Sequence, residues 1–153
     1  MTTAAPDQTL TDTMAKLEAA LLAPVVSGEM QAWVLAVQQA AATFAMDWTT
    51  HLRTVLHVQY EQIANTDPEL SSCVEKMIQT DHELLEELAC FHEKLHDLHQ
   101  AASHVDWQES KLAAERQNIE QVGIGLILRI KKQQSAAATW LTEAVYRDRG
   151  VGD

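Results

Sequence analysis

From Leu10 to Ala144 apolar side chains return every three or four positions, and only five glycines and three prolines are present to break the pattern. That spacing is the period of an α-helix with one buried face, and no stretch alternates as a half-buried strand would. The chain is therefore expected to be all-α: an up-and-down four-helix bundle of one short N-terminal helix and three long antiparallel helices. Leu10, Met14, Leu17 and Leu21 mark the first, which Thr9, Thr11 and Asp12 open and Pro24 closes. Ser27 and Gly28 open the second, whose stripe reads Trp33, Val37, Ala40, Phe44, Trp48, His51, Val55 and Val58 before Asn65 to Pro68 end it. Leu70, Val74, Met77, Leu84, Leu88, Phe91, Leu95 and Leu98 define the third, ending at Ser103 to Asp106. Trp107 begins the fourth, with Leu112, Ile119, Val122, Leu126, Ile130, Gln133, Ala137, Trp140, Leu141 and Ala144 on its stripe. Residues 1–8 are expected to be a flexible N-terminus and 9–153 one helical bundle domain.

A chain of 153 residues can bury a core without disulfides or metal. Its formal net charge of −11, with no basic stripe, opposes binding to nucleic acid. Cys73 and Cys90 fall in one expected helix about 25 Å apart, too far to pair, which suggests buried thiols in a reducing compartment. The first residues have neither a basic nor an apolar leader segment, and the longest apolar run, Gly123 to Leu128, is too short to span a bilayer. A cytoplasmic location and no membrane partner are expected.

Function is sought where a core-facing stripe turns polar. At about 100° per residue, His51 falls between Trp48 and Val55 on the second helix, Asp81 falls at the apolar centre of the third, and His82 at its edge. Glu115, Arg129 and Gln133 lie on or beside the apolar arc of the fourth. Counting outward from the turns near residues 66 and 105 brings His51, Asp81, His82, Arg129 and Gln133 to one level of the bundle. Such a layer can be a metal site or a buried hydrogen-bonded network, with His51 paired to Asp81 and Asp81 to Arg129. His57 and Glu61 have ligand-like spacing but point away from the apolar face. A second cluster, His92, His96 and His99 with Glu115 near their level, could hold zinc, sense protons, or be a polar surface.

The order His51, Tyr60, Pro68-x-Leu70 and Asp81-His82-Glu83-Leu84-Leu85, followed by Leu141-Thr142-Glu143-Ala144 and Asp148 to Asp153, resembles the hemerythrin-like (HHE cation-binding) domains of bacteria. The resemblance covers roughly residues 28 to 153 and implies a helical bundle around a non-haem di-iron centre that binds or senses oxygen, nitric oxide or iron. It assigns His51 to the first ligand and His82 to the middle one, with Asp81 before it where a glutamate is usual. Val55, Gln133 and Ala137 stand where a glutamate, a histidine and a second glutamate are expected. Neither an amide nor a methyl replaces an imidazole or a bridging carboxylate. The favoured expectation is that His51, Asp81, Arg129 and Gln133 form a metal-free polar core, Arg129 neutralising Asp81, in a non-catalytic protein that binds a protein or small molecule. The alternatives are iron or zinc held by His51, His82 and Asp81, zinc at the second cluster, and acid–base catalysis by His51 with Asp81. Because the N-terminal helix is expected to reach only the level of about residue 41, a homodimer or a different path for residues 1–28 is expected to cover the His51 layer.

Overall fold

The computed structural model describes residues 6–104 and 109–150, so Trp107, the expected start of the last helix, lies outside the described residues. The described residues are helical, without strands, and none of their helices is long and apolar enough to cross a membrane. Helix α1 (Pro6–Leu22) begins at a proline, suited to a first turn whose N–H groups have no helical partner. Its buried Leu10, Met14, Leu17 and Leu21 repeat at the expected spacing. Gly28, at φ 85°, lies in the turn before α2 (Met30–His51), a backbone conformation that side-chained residues rarely adopt. After α2 the helix continues through one π turn (Leu52–Leu56) into α3 (His57–Thr66). Asp67 ends it, its carboxylate accepting the Glu69 N–H at 3.1 Å and pairing with Arg147 at 3.2 Å. A short 3-10 turn (Pro68–Leu70) leads into α4 (Ser71–Ala102), and α5 (Glu109–Gly150) completes the described chain.

The helices pack in a ring in which α1 touches α2 and α5, and α4 touches the same two helices from the other side. Contacts between distant residues give the directions. Lys131 pairs with Glu18, Arg129 with Glu87, and Arg147 with Asp67, so α5 runs antiparallel to α1 and α4. At one end Arg116 donates to the Ala23 carbonyl at 3.0 Å and covers the Trp33 ring at 5.3 Å, fixing the level of α1 against α2. Counting back from there brings Pro6 to the level of about Thr50. Thr11 accordingly lines the same recess as His51. The expectation that the first helix stops near the level of residue 41 is thereby corrected: α1 runs from Pro6 and reaches the His51 level.

Beyond the π turn, α3 packs against α5. The π turn makes this swing, because one extra residue in a helical turn rotates all that follows by about 100°. The predicted stripe through Val55 and Val58 is displaced as a result. Val58 is 56% exposed and Val55 half-buried, whereas Leu56, Tyr60 and Ile63 face the core.

Two glycines of α5 make opposite demands. A Cβ on Gly123 would lie 2.7 Å from Leu21 and 3.1 Å from Phe91, both fully buried, while one on Gly125 would meet nothing within 4 Å. Gly125→Ala should stabilise the fold by roughly 0.5–1 kcal/mol through backbone entropy. Gly123→Ala should destabilise it by about 1 kcal/mol, the overpacking exceeding the same gain. Urea denaturation of the two variants checks the difference in sign.

Candidate ligand site

Asp81 sits on the buried face of α4 and is 5% exposed. Its Oδ2 accepts a hydrogen bond of 2.6 Å from the hydroxyl of Tyr60, which the π turn has rotated inward on α3. Its Oδ1 is equally buried and receives no hydrogen bond. From α5, the Gln133 amide donates at 2.9 Å to the carbonyl of Met77, one turn before Asp81. Burial pushes the Asp81 carboxyl above the usual carboxylate range, opposed in order by Tyr60, by the nearby Gln133 amide and by His82. Burial, followed by the hydrogen bond to Asp81, raises the Tyr60 hydroxyl as well, so it stays a donor at all ordinary pH values.

Arg129 takes no part in this group. Its side chain is exposed on α5 and forms an ion pair with Glu87. The buried face of α5 follows Leu126, Ile127, Ile130, Gln133 and Ala137, and position 129 lies outside it. A guanidinium there keeps its hydration and finds a carboxylate at the surface, avoiding the cost of desolvation. The expected Arg129–Asp81 pair is therefore corrected.

The remaining expected residues separate in the same way. His51 is buried and stacks on Trp48, ring centroids 6.0 Å apart and planes at 19°. It lines a recess with Thr11 and Gln134, on the α1 and α5 side of the helix. Asp81 lines a different one, between α2, the π turn and α4. His82 is exposed at the mouth of that second recess, as is His57, whose Nε2 lies 3.4 Å from Glu61. His92 and His96 are exposed and His99 half-buried; the His96 ring shares a 3.1 Å hydrogen bond with Gln100, and Glu115 is exposed on α5. Among the described residues no three His, Cys, Asp or Glu side chains converge as a metal site would require. Both cysteines are free, and Cys90 is exposed rather than buried.

The recess beside Asp81 has a volume of about 270 Å³. Leu52, Ile78 and Leu85 supply its apolar walls, and Arg53, His57 and His82 stand around it. Sequence reasoning missed Tyr60 as a partner because a strict helical wheel places it away from the core. No local sequence signal marks the π turn that reverses this. No protein-family model matches the chain, nor does any curated protein or solved structure.

The Asp81 proton links this site to stability. With its folded pKa above the unfolded value, the carboxyl favours folding fully below the unfolded pKa, and that contribution is lost as pH rises through the folded pKa. Asp81→Asn has no ionisation cost, so its stability relative to the parent should rise across the same window. Urea midpoints measured at several acidic to neutral pH values test this; parallel pH profiles for the two proteins would contradict it. Tyr60→Phe, which removes the 2.6 Å hydrogen bond to the carboxyl, should cost about 1–3 kcal/mol.

Proposed function

We propose that this chain is a divergent hemerythrin-like bundle that works without metal, as a non-catalytic binding protein. The observation that carries this reading is the donor set at the level where that family holds iron. Asp81 is engaged by Tyr60, and the Gln133 amide is turned to the Met77 carbonyl. Ala137, fully buried, offers only a methyl group. His51 and Asp81 line different recesses, and His82 is at the surface. These residues do not fit a di-iron pair, which needs several carboxylates and imidazoles directed at one point. Binding is favoured over catalysis because the buried polar atoms serve a recess with apolar walls, and burial holds the Tyr60 hydroxyl, the group beside Asp81, in its protonated form.

Protein expressed with added iron and zinc, then dialysed exhaustively, should retain far less than one metal ion per chain by elemental analysis. Retention of about two irons per chain, with the absorption bands of an oxo-bridged centre, would falsify the reading.

A further inference from the structure

The recess between α2, the π turn and α4 has a missing charge. A carboxyl 5% exposed, with one oxygen unbonded, ordinarily has a cationic partner, because burying an unpaired carboxylate costs several kcal/mol. In this chain the expected partner, Arg129, is bound to Glu87 at the surface, and His82, which favours the charged carboxyl, is exposed at the mouth of the recess. The hydroxyl of Tyr60 supplies one hydrogen bond and no charge. A proton is one way to complete the group; a cation from outside is another.

We propose that the recess binds a small primary ammonium ligand, its nitrogen paired with Asp81 and its apolar body lying against Leu52, Ile78 and Leu85. This rests on the reading of the chain as a binding protein and names its ligand class. Size agrees: about 270 Å³ falls just below the roughly 300–1,000 Å³ of drug-sized sites, so the ligand is small. Donor chemistry agrees too, since an ammonium group carries three N–H donors and the carboxylate keeps lone pairs beyond the one that Tyr60 uses. A metal ion would need further donors that do not converge on Asp81. Arg53, His57 and His82 at the mouth favour an anion instead, but His57 is turned to Glu61, and the chain's net charge of −11 draws cations toward the surface. The buried carboxyl decides between them, because electrostatic interactions are stronger away from water.

Titration calorimetry of the full chain with the hexylammonium ion, hexan-1-ol and hexanoate tests this, with amide NMR shifts at Leu52, Ile78 and Leu85 locating the ligand. Hexylammonium should bind at least about ten-fold more tightly than either of the other two. Asp81→Asn should weaken it by at least about ten-fold, and Ile78→Trp, which fills the recess from its rim, should abolish binding without touching the carboxyl. Circular dichroism melts establish that both variants are folded. The proposal is overturned if hexylammonium does not bind, if hexanoate binds as tightly, or if the affinity is indifferent to Asp81→Asn. Metal content is read separately by elemental analysis: a metal-free chain that fails to bind hexylammonium overturns this proposal alone, whereas retained iron overturns the metal-free reading, so the two fail distinguishably.

Discussion

Between His51 and His57 the long second helix holds one residue more than an α-turn accommodates, and the inward position of Tyr60 beside Asp81 follows from that turn. Before it, Trp33, Val37, Phe44 and Trp48 bury a face against α1 and α4. After it, Leu56, Tyr60 and Ile63 are the buried residues, and α3 lies against α5. The rotation solves a packing problem. Helix α1 is only 17 residues long and cannot cover the whole of α5, so the α3 segment must supply the missing contact. Its consequence is chemical, since Tyr60 is carried to the one buried carboxylate of α4.

That carboxylate is held in an unusual balance. Tyr60 satisfies one oxygen, while Gln133 is directed mainly to the backbone of the preceding turn. The charged form is disfavoured by burial, which outweighs the opposing effects of Tyr60, Gln133 and His82. Buried ionisable groups of this kind are retained either because they fix a unique packing or because they serve a ligand. An adjoining recess with apolar walls favours the second. The surface, by contrast, absorbs its charges in ordinary ways, through pairs such as Arg129 with Glu87 and Lys131 with Glu18, which are worth little to stability because water screens them.

The helical periodicity of the chain was sufficient to identify the four helices and most of the core. The buried Leu10, Met14, Leu17 and Leu21, and the α4 stripe from Val74 to Leu98, repeat where the pattern put them, because a regular helix places residues by spacing alone. The same wheel put Asp81 and Gln133 inside, where both are found. It failed at Val58 and Tyr60, which lie beyond the π turn, and at Arg129, where an angle marginal to the core was resolved by solvation. It also brought His51 and Asp81 to one level without being able to say that they line opposite sides of the helix pair.

Local sequence, then, determined that this chain is helical, where its breaks fall, and that a carboxylate and an amide sit among apolar neighbours. These are properties of nearest turns, set by 3.6-residue spacing, caps and the scarcity of glycine and proline. Only the tertiary structure decided which groups meet. The end of α1, the extra residue at Leu52–Leu56 and the pull of Glu87 on Arg129 each depend on a helix distant in sequence. Competition for space and solvent between such partners turned Tyr60 toward Asp81 and left the second oxygen of that carboxyl without a hydrogen bond.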